Sequence, residues 1–449
     1  MIPEPIVLFI VFLYFIVFLA VGQNVATVLL GTGVIGIVLW TEPSVIISFI
    51  ESDVFDRIST YSFITIPLYI LMAFFLLRGG VIKEIYYFIH KLGGKKKTPL
   101  AILTVVMGAL LGAVSGSSTA ISAGLAVTAA PELQRYGYKK NYSVALGAIG
   151  GSLSALVPPS IIIIIYASIS ELSIGKLFMG AMIPGILLTI VFSFIIFIFD
   201  KFRPAFVLSS ESMLADNLIN NDMAIEEDFY DFKTGLISFS IVMFLIFLVF
   251  GGIYGGIMTA TEAGGVAAFV SMIAMVVRKK LTFQSFGAAL VDTARMSSMI
   301  LIIVVGAQFF GRFMSLSMIP RQLIELLEPL MGQPYLIVSM LLIVLFVLGM
   351  ILESAAVMVM IIPVTDPIIR AVGIDPIWFG VMASFIIMLG LLTPPVGLAS
   401  YAASTAAALP VGGIFRYTLI FAFLSGIIIA PFLFIFPEII TFLPNLMIK

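Results

Sequence analysis

Residues 98–131 read TPLAILTVVMGALLGAVSGSSTAISAGLAVTAAP. The stretch holds no charge, yet Lys95, Lys96 and Lys97 precede it and Arg135, Lys139 and Lys140 follow it. One straight helix of that length would measure about 50 Å, against a bilayer core of about 30 Å. It would also put the two basic clusters on opposite faces of the membrane, whereas short basic loops collect in the cytoplasm. Two complete spans would need a loop in the outer aqueous phase. Val114-Ser115-Gly116-Ser117-Ser118-Thr119 is too short and too small for one. A hairpin that enters from the cytoplasm, turns at mid-membrane and returns meets both constraints. Irregular backbone at that depth is tolerated only inside protein or beside a polar cavity.

Composition agrees with a membrane setting. Of 449 residues, 61% are hydrophobic and 10% charged, where a soluble domain carries about 25% charged residues. Mean hydropathy is +1.22. A net charge of −1 excludes a nucleic-acid binder, which needs a basic face. One histidine, His90, and no cysteine leave no ordinary zinc site, thiol nucleophile or redox pair. The N-terminal MIPEPIVLFIVFLYFIVFLAV lacks a positive n-region and reads as a first span, not a cleaved signal. Further spans fall near 24–41, 60–78, 141–170, 176–199, 235–252, 254–277, 296–318, 376–410 and 414–436. The expected fold is an all-α polytopic membrane protein. Basic clusters at 91–97, 135–140, 201–203 with Lys233, and 278–280 are read as cytoplasmic. That puts the N-terminus in the periplasm and opens hairpin 98–131 to the cytoplasm.

A second over-long apolar stretch, 329–365, has flanks poor in Lys and Arg and centres on Leu352-Glu353-Ser354-Ala355-Ala356. It reads as a hairpin entering from outside. Each hairpin is followed by a span interrupted in its middle. One carries Gly150-Gly151-Ser152 and Val157-Pro158-Pro159-Ser160, the other Gly390-Leu391-Leu392-Thr393-Pro394-Pro395-Val396-Gly397. A proline pair removes two backbone donors and clashes with carbonyls one turn back, and the freed carbonyls can coordinate a cation. Ser115 to Pro158 is 43 residues and Glu353 to Pro394 is 41. Amphipathic pieces near 45–58 and 81–92 correspond to 281–294 and 321–329. Two repeats, 1–200 and 234–449, are therefore expected, joined by an acidic cytoplasmic linker at 201–233. Five full crossings in each make them inverted, and inverted repeats with broken helices mark a secondary transporter with its site at the repeat interface.

Ser115, Gly116, Ser117, Ser118 and Thr119 offer hydroxyls and carbonyls that can replace the hydration shell of a small hard cation. The plainer reading is helix packing, because Gly108, Gly112 and Gly116 lie four apart. Glu353 in an apolar run has to face the protein interior. Cation ligand, protonatable switch and hydrogen-bond acceptor for exposed hairpin backbone compete for it. Arg295 starts a predicted span and reads as an interfacial anchor. Ser297 and Ser298 lie further in and are candidates to line a cavity. His90 reads as interfacial, and Trp40 and Trp378 fall at predicted membrane edges.

At these motifs the chain resembles the large membrane subunit of tripartite ATP-independent periplasmic (TRAP) transporters. GALLGAVSGSSTAISAGLAV, PELQRYGYKKNYSVALGAIGGSLSALVPPSIIIIIYA and ELSIGKLFMGAMIPG carry the likeness in the first half. GGIYGGIMTATEAGGVAA, GMILESAAVMVMIIPV and FGVMASFIIMLGLLTPPVGLASY carry it in the second. The resemblance implies an ion-transporter-superfamily fold working as an elevator in the bacterial inner membrane. It implies sodium-coupled import of an organic anion such as a C4-dicarboxylate, another carboxylate or a sialic acid. A periplasmic substrate-binding protein and a small four-helix membrane subunit are the implied partners, expected as separate polypeptides. The implied sodium sites fall on Ser115, Gly116, Ser117 and Ser118 with Gly151 and Pro158, and on Glu353 and Ser354 with Gly390, Thr393, Pro394 and Gly397. The substrate cavity is assigned to Ser118, Thr119, Ser152, Pro159, Ser297, Ser298 and Pro395. Family members often carry Asp where this chain has Glu353. Two readings compete with this one. A stand-alone cation- or proton-coupled organic-anion carrier of the same superfamily would work without a binding protein. An intramembrane enzyme lacks an HExxH motif and has one histidine to serve a nucleophile.

Overall fold

The computed structural model describes residues 3–41, 59–81, 97–209 and 232–447, with single positions 47, 49, 84, 85, 88 and 91, and only the backbone at 113–115. Apart from one isolated antiparallel bridge, Tyr138 to Leu208, the described regular structure is helical. The first half runs α1 (Glu4–Ala20), α2 (Val25–Trp40), α3 (Tyr61–Arg78), a hairpin of α4 (Lys97–Ser115) and α5 (Ser118–Arg135), α6 (Lys140–Ser152), α7 (Ile161–Ile169) and α8 (Ile174–Phe202). The second runs α9 (Phe232–Tyr254), α10 (Ala260–Val277), α11 (Phe283–Leu316) and α12 (Ile319–Leu326). A second hairpin of α13 (Pro334–Gly349) and α14 (Ser354–Ala371) follows, then α15 (Pro376–Gly390), α16 (Leu398–Ala406), α17 (Val411–Ile435) and α18 (Glu438–Leu446). Several helix starts are set by side-chain caps. Asn24 accepts from the Ala26 N–H at 2.9 Å, Asp375 from Ile377 at 2.7 Å, and Thr259 forms a reciprocal capping box with Glu262.

The helices fall into two sets. In one, α2 lies along α11 and α3 along α10, with α1 on α2 and α9 on α10. In the other, α5 packs on α6, α16 on both, α13 on α15, α8 on α4 and α18, and α17 on α6 and α15. Between the sets, α11 meets α14, and α3 meets α4 and α7. Lipid is as apolar as the side chains, so helix association in a membrane relies on close packing and buried polar contacts. Both are present. A Cβ on Gly33 of α2 would come within 2.3 Å of the Phe309 backbone of α11, and one on Gly306 within 2.6 Å of the Ala26 carbonyl. Thr65 and Thr261 share a 2.6 Å hydroxyl contact between α3 and α10. Glu84, fully buried, pairs with Arg278 and with Lys280 (2.8 Å) and accepts from Ser238, tying the first half to the second.

The two hairpins open toward opposite ends of α17. Beside the start of α17, Tyr142 meets Tyr417 ring to ring at 5.2 Å and Tyr138 lies on Tyr142 at 5.6 Å, just past the open end of α4–α5. At its far end, Phe434 meets Tyr335 at the open end of α13–α14 at 5.5 Å. Tyr417 and Phe434 are separated by about 25 Å of helix.

Several elements depart from the sequence expectation. The amphipathic piece 281–294 and the span 296–318 are one 34-residue helix, α11. Thr282 caps it and no proline or glycine pair interrupts it there. The expected span 254–277 begins at Ala260, because residues 255–259 turn out of α9. α18 was not expected. Trp378, near the start of α15, faces protein: it is 2% exposed and donates Nε1–H to the Leu433 carbonyl at 3.1 Å. The amphipathic expectation at 321–329 matches α12. Most of 45–58 and 81–92, His90, and linker residues 210–231 lie outside the described residues.

Candidate transport site at the hairpin tips

The first tip is a two-residue turn. Gly116 has φ +62°, and a Cβ there would also come within 2.8 Å of Ile161 Cγ1, so glycine is required twice over. Ser117 caps α5 loosely, its Oγ accepting from the Ala120 N–H at 3.4 Å and lying 3.4 Å from Thr119 Oγ1. Behind the turn, Ser118 is buried. The Ser154 hydroxyl lies 3.0 Å from Ser118 Oγ and 2.8 Å from the Gly151 carbonyl, joining the tip to the broken span. Between α6 and α7 the chain leaves α-helical geometry at 153–160, across Pro158 and Pro159. Ser160 recovers one carbonyl by donating to Ala155 at 2.9 Å.

The second tip is longer, 350–353. Glu353 caps α14 by accepting from the Ala355 N–H at 2.8 Å, and the Ser354 hydroxyl donates to its other oxygen at 2.8 Å. The acceptor role for hairpin backbone is therefore realised. The carbonyl of Met350 accepts from the N–H groups of Val396 (3.2 Å) and Gly397 (2.9 Å), so this tip is sewn to its broken span through backbone. The halves share one packing contact. A Cβ on Gly112 would meet Ser154 Cα at 2.7 Å, and one on Gly390 would meet the Gly349 carbonyl carbon at 2.6 Å. Both contacts sit four residues before the proline pair, so hairpin and broken span approach at the same level.

Both tips reach one cavity of about 380 Å³, lined by Gly116, Ser117, Thr119, Glu353, Ser354 and Ala355. Ile161 and Ile162 of α7, Phe74 of α3, and Asp292, Arg295, Met296, Met299 and Ile300 of α11 complete it. The cavity thus lies between the two helix sets. Asp292 is neutralised by an ion pair with Arg78. Arg295 has neither an ion pair nor a hydrogen bond among the described residues.

Of the residues assigned from sequence, Gly116, Ser117, Thr119, Glu353 and Ser354 face this cavity. The others lie behind it or elsewhere. Ser152 is fully buried and donates to the Ile149 carbonyl at 2.8 Å. Thr393 is buried and donates to Leu389 at 2.8 Å. Gly151 and Gly390 sit in the hairpin contacts, where a Cβ would come within 2.2 Å of Ser122 Oγ and 2.6 Å of Gly349. Pro158 and Pro159 are buried, Pro394 is half-buried and Pro395 exposed. The Ser115 side chain lies outside the described residues. Ser297 is buried with no hydrogen-bond partner among the described residues, and Ser298 is exposed and not among the lining residues. The α11 residues were missed because the helix was read as two pieces. Asp292, Arg295, Met296, Met299 and Ile300 fall at i, i+3, i+4, i+7 and i+8, one face of a continuous helix. Arg295 stands about 18 Å into α11 and not at its start.

The family model for the tripartite ATP-independent periplasmic transporter, DctM component, matches residues 12–438. The chain belongs to this family. It is a TRAP large membrane subunit, and with seven described helices long and apolar enough to cross a membrane it is a multi-pass membrane protein of a transporter permease family. It is 29% identical to the 2,3-diketo-L-gulonate TRAP transporter large permease protein of Escherichia coli K12, covering 92% of this chain and 96% of the relative. It is 29% identical to the C4-dicarboxylate large permease of Pseudomonas aeruginosa (86% and 87% covered) and 28% to the sialic acid large permease of Vibrio cholerae (89% and 90%). Among solved structures, the YdaH transporter of Alcanivorax borkumensis superposes with TM-score 0.62 at 14% identity, covering 87% of this chain and 88% of that one. MtrF of Neisseria gonorrhoeae superposes with TM-score 0.63 at 13% identity, covering 88% and 85%. At such identities the TRAP subunit shares their fold, and nothing further follows from them.

Proposed function

We propose that this chain is the permease subunit of a binding-protein-dependent secondary transporter that imports an organic anion together with sodium across the inner membrane. The observation that carries the reading is the meeting of both hairpin tips on one cavity also lined by Arg295, which has no ion pair among the described residues. Arg295 supplies the fixed positive charge that an anion needs in a partly dry site. The relatives named for diketogulonate, C4-dicarboxylate and sialic acid support a carboxylate as cargo. Sodium is the second cargo. One ion is assigned to Ser115, Gly116, Ser117, Ser118, Gly151 and Pro158, the other to Glu353, Ser354, Gly390, Thr393, Pro394 and Gly397. Neutral hydroxyl and carbonyl oxygens suit a hard monovalent cation, and the Ser118–Ser154–Gly151 network already gathers such oxygens.

The matching element order and the hairpins opening toward opposite ends of α17 support two inverted repeats, 1–200 and 234–449. The hairpin-bearing helix set would slide against the other set, carrying the tips with it in an elevator motion. A periplasmic binding protein delivers the anion, and a small four-helix subunit widens the stationary set. The test is uptake into proteoliposomes with both partners present. An inward sodium gradient at equal pH drives uptake, and Arg295→Gln abolishes it. Full uptake driven by a pH gradient without sodium, lost in Glu353→Gln, would replace sodium with a proton. Saturable uptake by the chain alone would remove the partners.

A further inference from the structure

We infer that Arg78 and Asp292 form a counter-ion switch that decides whether Arg295 is open to an anion. The inference rests on the cavity being the substrate site with Arg295 as its cation, as proposed above. Asp292 and Arg295 both line that cavity. They stand three residues apart on α11, a spacing that makes side chains neighbours on one helix face. Glu132 and Arg135, acid and arginine at the same spacing on α5, close an ion pair at 2.9 Å. Asp292 does not. Its carboxylate pairs with Arg78, the last residue of α3, one turn past the lining residue Phe74. Arg295 has no ion pair among the described residues. One carboxylate thus has two guanidinium groups to choose between, and it sits on the one outside the cavity lining.

With Asp292 drawn to α3, the Arg295 guanidinium keeps its charge for an incoming carboxylate. With Asp292 returned to Arg295, that charge is answered from within the chain, and a bound anion then has a like charge beside it. Asp292 is therefore a competitor of the cargo, and Arg78 holds the competitor off. The exchange of partners costs little. The Arg78 and Asp292 side chains are 34% and 28% exposed, Arg295 is exposed, and ion pairs that water reaches are weak. Glu353, the other carboxylate of the lining, rides on a hairpin tip and is assigned to sodium. Asp292 shares a helix with Arg295 and keeps its three-residue spacing from it wherever the tips stand. Arg78 and Asp292 both act through Arg295 and are positioning residues, the first for loading and the second for release.

The chain has no cysteine, so Thr119→Cys in the cavity lining reports on occupancy. Its maleimide labelling is followed in proteoliposomes holding the complete transporter with sodium. The probes are succinate, 2,3-diketo-L-gulonate and N-acetylneuraminate at constant ionic strength. The concentration of the best of them that halves labelling is read in each variant. Arg78→Gln is expected to raise it about threefold, a size in keeping with a water-reached pair, because Asp292 falls back on Arg295; Arg78→Lys stays near the parent value. Asp292→Asn is expected to lower it about threefold and to slow uptake at saturating probe, since release loses its competitor. The double variant is expected to match Asp292→Asn, because asparagine has no charge to place on Arg295. A pair that only braces α3 against α11 shifts both single variants in the same direction, and that pattern overturns the switch while leaving the transport site standing. Protection that survives Arg295→Gln, or labelling that none of the three probes slows, overturns the substrate site itself, and with it this inference.

Discussion

The two hairpin tips occupy equivalent places in their halves, yet they are built with different chemistry. The first is a tight turn at Gly116 and Ser117, uncharged, and joined to its broken span through the Ser154 hydroxyl. The second is a four-residue turn closed by the carboxylate of Glu353 and joined to its broken span by two backbone hydrogen bonds to Met350. One tip is held by a side-chain hydroxyl that a single truncation at Ser154 removes, the other by main-chain N–H groups that only a proline would remove. Equivalent architecture thus leaves the second tip free to carry the charge, since its geometry does not depend on the charged group alone.

The largest effect expected is all or none. Arg135→Cys and Gln333→Cys, each beside the open end of one hairpin, should label from opposite faces of oriented vesicles with an impermeant maleimide. Labelling from one face would end the equivalence of the hairpins. Next, Glu353→Ala should lower sodium-driven uptake about 100-fold, roughly 2.7 kcal/mol, of which the lost helix cap accounts for about 1 kcal/mol. Glu353→Gln keeps a cap acceptor, so it should recover thermal stability while transport stays low; recovery of both would make the residue a cap alone. Gly116→Ala should cost about 1–2 kcal/mol through the left-handed backbone and lower uptake about tenfold, measured alongside melting in detergent. The smallest effect belongs to Ser117→Ala. Its 3.4 Å cap is weak, and the half-saturating sodium concentration should rise about threefold, roughly 0.6 kcal/mol. A Ser117→Ala effect on sodium larger than that of Glu353→Gln would reverse the roles of the two tips.

Outside the tips, Glu84 provides a contrast. It is fully buried against two cations and is not among the residues lining the cavity. Glu84→Gln should cost about 3 kcal/mol in thermal stability, with no change in half-saturating sodium for the protein that remains folded.

Much of this was legible in the chain because lipid imposes strict rules. Apolar run length, flanking Lys and Arg, and the Pro158-Pro159 and Pro394-Pro395 pairs marked spans, hairpins and breaks, since each acts through local backbone satisfaction and helix rise. Gly116 and Glu353 were legible for the same reason: a turn and a charge in an apolar run each demand an explanation on the spot. The cavity wall was not legible. Whether 281–294 and 296–318 form one helix depends on packing as well as on local pattern, and the α11 face bearing Arg295 follows from that continuity. Ser297 and Ser298 looked suitable by type and depth, but a rotation of 100° per residue turns both off that face. Only tertiary structure could bring Ser117, Glu353 and Arg295, drawn from three distant segments, around one space, because their meeting depends on how Gly112, Gly151, Gly349 and Gly390 let the hairpins and broken spans touch.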